Sequence, residues 1–213
     1  VNEPQARYVP LDTLKDYYRK AYKIVRKYNA NTYVVMSELL WDDPNNLVDL
    51  GKEFKNAIID LHYYNAFGST FANMNIQQNI DFIYNERRQE IERLNKNSNG
   101  LLTFVGMYDD RPATFIVLCL NKDLCPHKNV YIIAIHKYLT AFGSGEWTNE
   151  LAYKGASRAE YEMLGKAQLE VYSEATAGWA YWNYITEESP HWDFSRTYKD
   201  GYMLKPVKGW NNP

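Results

Sequence analysis

Cysteine is nearly absent from the 213 residues: there are two, Cys119 and Cys125, and both fall in one short stretch. A disulfide framework for the whole chain is therefore excluded, and cysteine usage does not report a redox compartment. No apolar run reaches the length of a transmembrane helix, so no segment reads as crossing a bilayer. No Asn-x-Ser/Thr glycosylation acceptor occurs. Charge of one sign is lacking too. A formal net charge of −2 gives no electrostatic reason to expect nucleic acid or an anionic membrane as partner. No glycine-rich strand-to-helix turn marks a nucleotide-binding sheet. The chain opens at Val1-Asn2-Glu3-Pro4, with neither an initiator Met nor a signal peptide, and a secretory signal on a missing N-terminal portion stays compatible with that.

What is present is a globular composition. Hydrophobic residues make up 46% and charged residues 23%, so the bulk is neither disordered nor fibrous, and the length allows one domain with a sizeable core. Aromatics reach 15%, with 19 Tyr and 6 Trp. Flat aromatic faces suit the C–H patches of sugar rings, but they also build ordinary cores, so the excess alone decides nothing.

Periodicity organises the chain. Leu14, Tyr17, Tyr18, Ala21, Ile24, Val25 and Tyr28 predict a helix over 11–28, with Asp12 or Thr13 as cap. Thr32–Met36 is a β-branched run typical of a strand buried on both faces. A short helix is expected around Leu47–Phe54 and a strand at Ala57–Tyr63. Ile76, Ile80, Ile83, Arg87, Ile91 and Leu94 mark one long helix ended by Asn99-Gly100, followed by a strand at Leu101–Val105. Tyr161, Leu164, Ala167 and Val171 define a further helix, and Gly178–Ile185 a further strand. Alternating strands and helices point to an α/β fold of parallel βαβ units. Periodicity does not separate an open sheet from a closed barrel. Candidate chemistry that recurs just after strands favours the (β/α)8 barrel, whose catalytic residues sit at the C-terminal strand ends.

Hydrolysing a glycosidic bond with retention needs two carboxyl groups, one to attack the anomeric carbon and one to trade protons with the leaving oxygen and then water. Asn2-Glu3-Pro4, His62-Tyr63-Tyr64, Gly145-Glu146-Trp147 and Trp179-Ala180-Tyr181-Trp182 supply such a set. With "VPLDTLKDYYRKAY", "IDLHYYNAF", "QQNIDFIYN", "LLTFVG", "GEW" and "GWAYWNY", the chain resembles glycoside hydrolase family 5, and within it the plant glucan 1,3-β-glucosidase-like proteins. The resemblance covers nearly everything except roughly 107–144.

It implies the C-terminal portion of a TIM barrel, from the end of strand four through strand eight. Glu3 is then expected as acid/base and Glu146 as nucleophile. Asn2 would bind the sugar 2-hydroxyl, His62 and Tyr64 would hold the reacting centre, and Trp182 would floor the sugar. No metal or other cofactor is needed, because carboxyls perform both steps. The implied partner is an oligo- or polysaccharide, a β-glucan, in a secreted or cell-wall setting. Oligomeric state is not readable. Trp179 is expected in the core, because alternate strand residues face opposite ways. Glu38, Trp41, Glu187, Glu188, His191 and Trp192 also follow strands and read as subsite or plain loop residues.

Two departures stand out. A chain starting at the end of strand four lacks the upstream strands, so open edges, poor stability and little activity are expected if these residues are all there is. Residues 1–213 thus read as part of one barrel domain, interrupted by an atypical segment, 107–144. Removing Met107–Gly145, or equivalently Gly106–Ser144, restores T-F-V-G-E-W. The segment's residues have mostly A/T-rich codons, and its ends can be encoded with an intron's boundary sequences. It is expected to be a retained intron or a gene-model error, the alternative being a genuine lid-like loop. A non-catalytic carbohydrate-binding remnant is the second functional reading, and an unrelated open α/β protein a third.

Overall fold

The computed structural model describes residues 1–97, 100–105, 115–119, 131–134, 146–187 and 189–203, with 115–119, 131–134, Asn97 and Glu146 described as backbone only. Helix α1 (Leu11–Tyr28) has the expected bounds, but neither Asp12 nor Thr13 caps it. Its N-cap is Pro10, which has no side-chain cap to offer. Leu14 and Tyr18 form its buried face, while Tyr17, Ile24 and Tyr28 of the same apolar pattern are exposed. The Tyr18 hydroxyl donates to the carbonyl of Ser37 at 2.7 Å, tying α1 to the end of strand β1 (Val34–Ser37). That strand starts later than the predicted Thr32. The Asn29 side chain accepts from the backbone N–H of Asn31 and Thr32, and Arg26 holds the Thr32 carbonyl, so Thr32 belongs to a turn.

A 3-10 turn at Pro44–Leu47 leads into α2 (Val48–Lys52), then β2 (Ala57–Tyr63) and α3 (Gly68–Ala72). The single long helix expected from Ile76 is divided. Helix α4 (Ile76–Phe82) opens on an Asn75/Gln78 capping box, a π turn spans Ile83–Arg87, and α5 (Arg88–Asn97) follows. Strand β3 is Leu102–Val105. Within the atypical segment, the apolar stretches at 113–120 and 130–139 contain β4 (Phe115–Cys119) and β5 (Tyr131–Ala134). Strand β6 (Glu146–Trp147), α6 (Arg158–Tyr172) with its Ser157/Glu160 capping box, β7 (Gly178–Ala180) and α7 (Phe194–Lys199) complete the order.

Strands β1, β2, β3 and β7 lie side by side in that order, all parallel. Strands β4 and β5 continue the sheet beyond β7 as an antiparallel pair. The most telling pairing is at β2. Val105 of β3 stands opposite Leu61, and Glu146 of β6 stands opposite the next residue, His62. Strand β6 therefore resumes the line that β3 leaves. The predicted strand over 178–185 ends at Ala180. The Trp182 N–H still reaches the neighbouring line, at Trp147 of β6, but Asn183 and Tyr184 bond to residues 192–195. The Trp182–Asn183 peptide is cis.

The sheet's two faces differ, as strand alternation requires. Ile59, Leu61, Tyr63, Val105, Trp147 and Trp179 join the main core with Ile91 and Leu94 of α5 and Leu164, Val171 and Tyr172 of α6. Trp147 sits at its centre, edge-on to Tyr172, Trp179 and Tyr181 at 4.8–5.3 Å. Each such pair contributes about 0.5–1.5 kcal/mol beyond burial. Trp179 is thus core, as expected. The opposite face carries a small cluster of Ile58, Phe104 and Ala180.

None of the parallel pairs uses β4 or β5. A variant lacking Met107–Gly145 is expected to keep its helix and strand signal in far-UV circular dichroism and to melt cooperatively. The one glycine left between Val105 and Glu146 would stand as a bulge. A broad, non-cooperative melt would show that the segment holds the sheet together.

Candidate active site

The first turns of the chain are pinned over the end of β1. Leu40 N–H donates to the Pro4 carbonyl at 2.8 Å, Ala6 N–H donates to the Leu40 carbonyl at 3.1 Å, and Glu3 N–H reaches the Ser37 hydroxyl at 3.2 Å. Glu3 adopts a left-handed backbone, φ 46°, which non-glycine residues seldom take and which recurs at functional sites. Its carboxylate meets the ring of His62, Oε1 to Nδ1 at 2.8 Å.

His62 lies at the C-terminal end of β2 with its side chain 1% exposed. Its Nε2 is 3.4 Å from Asp60 Oδ2, two residues back on the same strand face. The ring therefore stands between two carboxyl groups. Its backbone N–H donates to Glu38 Oε1 at 2.7 Å. Burial pushes the Glu38 carboxyl up to about 7, against the lowering effect of that hydrogen bond. Glu3 goes the other way. The His62 hydrogen bond holds its carboxyl below the usual range despite partial burial. With Glu3 ionised, Nδ1 of His62 carries the proton between them.

Glu3, His62, Tyr64 and Trp182 line one cleft of about 620 Å³ at the C-terminal ends of the parallel strands. Asn2 is exposed beside Glu3 and is not among the lining residues. The backbone of Glu146 stands opposite His62 in the ladder, and its side chain lies outside what is described. Of the residues that read ambiguously as subsite or loop, Glu38, Trp41 and Trp192 line the cleft. His191 instead stacks on Tyr161 at 3.4 Å, away from it, and Glu188 lies outside the described residues.

Arg87 and Glu90 also line the cleft, and no sequence motif marks them. The Arg87 guanidinium lies 4.2 Å from the Tyr63 ring centroid and 3.7 Å from Glu90, which accepts from the Tyr63 hydroxyl at 2.5 Å. Arg87 closes the π turn, a helix irregularity that often marks functional sites, but helical periodicity had counted it as one more stripe position. Among the described residues, no group of three or more His, Cys, Asp or Glu is arranged to hold a metal ion.

No protein-family model matches the chain. It is similar to a glucan 1,3-beta-glucosidase of Yarrowia lipolytica, 24% identical over an alignment of 211 positions that covers 97% of this chain and 47% of that protein. It is also similar to a probable glucan 1,3-beta-glucosidase of Arthroderma benhamiae, at 29% over 217 residues, 97% and 49% of the two chains. The crystal structure of rutinosidase from Aspergillus niger shares the fold, with a TM-score of 0.56 at 16% identity over 91% of this chain and 43% of that one. The chain spans about half the length of these two glucosidase relatives, and about a quarter of others such as a probable glucan 1,3-beta-glucosidase D of Aspergillus terreus.

The raised Glu38 carboxyl has a sign. In the unfolded chain it ionises near the ordinary value of 4.5, whereas in the fold it keeps its proton until about 7. The folded state thus binds more protons between those values, and stability falls as pH rises through that window, by an amount on the order of a few kcal/mol. Glu38→Gln, which can still accept from His62, is expected to flatten that part of the melting-temperature profile. An unchanged slope between pH 4.5 and 7 would place the titrating group elsewhere.

Proposed function

We propose that this chain is the C-terminal part of a retaining β-glycosidase barrel, strands four to eight of a (β/α)8 fold of glycoside hydrolase family 5. Glu3 is the acid/base and Glu146 the nucleophile. The observation that carries the reading is the arrangement around His62. Its ring holds the Glu3 carboxylate at 2.8 Å, and its backbone stands opposite Glu146 in the parallel ladder. That arrangement supports reading two acidic residues, far apart in sequence, as members of one strand-end site, as retaining hydrolysis needs.

In this reading a Glu146 oxygen attacks C1 of the bound sugar as the C1–O bond to the leaving group breaks, and the Glu3 proton goes to the leaving oxygen. Glu3, now a carboxylate, takes a proton from water, whose oxygen attacks C1 and releases Glu146. The His62 hydrogen bond favours Glu3 as carboxylate and so serves this second step. Loading Glu3 with a proton for the first step calls for an opposing influence, and a negative nucleophile about 5–5.5 Å away would supply it. Trp182 floors the sugar, Tyr64 braces the reacting centre, and Asn2 would reach the 2-hydroxyl only from the rim.

The names of the relatives support β-1,3-glucan or related β-glucosides as substrate; the secreted or cell-wall setting rests on the family resemblance alone. The interrupted ladder supports the view that 107–144 is a retained intron or a gene-model error rather than a lid. The competing reading, a carbohydrate-binding remnant without catalysis, draws on the aromatic side chains that line the cleft, among them Trp41 and Trp192.

Hydrolysis of laminari-oligosaccharides and aryl β-glucosides by the full-length protein without 107–144 is expected to fall at least 100-fold in both Glu3→Gln and Glu146→Gln, the scale of losing a positioned proton donor or nucleophile. The first-formed product should be the β-anomer by NMR. Turnover retained in both variants refutes the assignment, and no hydrolysis by the parent chain favours the remnant. A spliced transcript lacking the codons of 107–144 is expected when cDNA is compared with genomic DNA. A transcript that keeps them makes the segment real protein.

A further inference from the structure

Asp60 has a side chain that is 0% exposed, two residues before His62 on the same face of β2. Its neighbours on that face are apolar. Asp60 stands opposite Phe104 in the ladder, and Phe104 clusters with Ile58 and Ala180. A carboxylate in such a place is costly unless a cation compensates it. Its Oδ2 lies 3.4 Å from His62 Nε2, at ion-pair distance, while the other ring nitrogen, Nδ1, lies 2.8 Å from Glu3 Oε1.

Two carboxylates at one ring fix how many protons the ring carries. A neutral imidazole has one N–H, so one of its nitrogens would turn a lone pair toward negative charge. Protonated on both nitrogens, the ring offers an N–H to each side and one positive charge to two negative ones. The groups packed around it fit that state. Glu38, past β1, accepts from the His62 backbone N–H and keeps its proton until about 7 because of burial, with Glu90 and Arg87 acting on it from the helix side. Tyr18 of α1 is pushed up by burial and by the Asp60 charge, and its proton goes to the Ser37 carbonyl. Glu146 faces His62 through its backbone. Asp60 and Glu3 are thus the carboxyls aimed at the two ring nitrogens.

We infer that Asp60 is a positioning residue that holds His62 as an imidazolium aimed at Glu3, and through that ring sets the proton affinity of Glu3. Asp60 is not among the residues lining the cleft, so it acts through the ring and not on the sugar. The cation favours Glu3 as carboxylate, the form that takes a proton from water in the second step. The inference rests on the glycosidase reading for the role of Glu3, whereas the charge on the ring is independent of it.

The full-length protein without 107–144 is labelled with 15N-histidine, and the His62 ring signals are assigned as those lost in His62→Gln. Both ring nitrogens should stay protonated to about pH 8, above the ordinary histidine value of about 6.5. Asp60→Asn keeps the side chain's size and removes its charge, and there the ring should titrate lower by about one pH unit or more. With the ring neutral, Glu3 loses its nearest cation and keeps its proton to higher pH. The alkaline limb of kcat/KM on laminaribiose, where the acid must still hold its proton, should then move up by about one pH unit. A parent ring with Nε2 unprotonated near neutral pH, or one that titrates alike in parent and Asp60→Asn, overturns the inference and leaves the glycosidase reading intact. Hydrolysis with an unmoved alkaline limb overturns the link from Asp60 to Glu3. The expected ring shifts in a protein that hydrolyses nothing uphold Asp60 as the holder of the ring charge and overturn the enzyme. The parent titration involves no change at Asp60, so a misfolded Asp60→Asn leaves that test in force.

Discussion

Strand β2 is hydrogen-bonded along both edges, to β1 on one side and to β3 and then β6 on the other, and every residue from Ala57 to Tyr63 is buried. A parallel strand covered on both faces has no freedom of register, because a shift by one residue would exchange its two faces. Here the exchange would bring Asp60 and His62 into the helix-packed core and expel Ile59 and Leu61. That penalty fixes the height of His62, and with it the position of Glu3 through the ring and of Glu38 through the backbone N–H. The polar site is therefore held in place by the apolar residues that alternate with it.

The same strand end concentrates carboxyl groups, which is costly in a poorly solvated place. The fold meets the cost in two ways. Glu3 stays ionised against the imidazole, and Glu38, too deep for that, keeps its proton toward neutrality. Two carboxyls whose surroundings push their proton affinities apart are a usual mark of a site built for proton transfer. Arg87 adds a cation beside Glu90, so the cleft is not uniformly acidic.

Legibility from sequence followed physical simplicity. Helix α1 and strand β2 were readable because one stripe or one apolar run determined each. Glu3 and His62 could be singled out because they sit in short motifs at strand ends, and the fold brings their side chains together. The aromatic run over 178–185 looked like one strand, but period alone does not reveal that the peptide groups of Asn183 and Tyr184 bond to residues 192–195. Arg87 was hidden because a π turn breaks the 3.6-residue rule by which it had been counted. Trp41 was ambiguous for a different reason. Its left-handed backbone and the Arg7 guanidinium over its ring are tertiary facts with no local sequence signature.

The consecutive positions of Val105 and Glu146 on β2 explain how a sheet line can be broken at the place where a catalytic residue is expected. A long excursion whose ends return to neighbouring positions costs the sheet little directly, because closure entropy grows only with the logarithm of length, about 0.6 kcal/mol per doubling. The ladder is satisfied on either side: Val105 pairs with Leu61 before the break, and Trp147 pairs with Tyr63 after it and enters the core untouched. Burial of Trp147 then acts as the anchor. An indole fully enclosed among Tyr172, Trp179 and Tyr181 cannot slip along β2 without opening the core, so the residue before it is held at the height of His62 whatever lies between Val105 and Glu146.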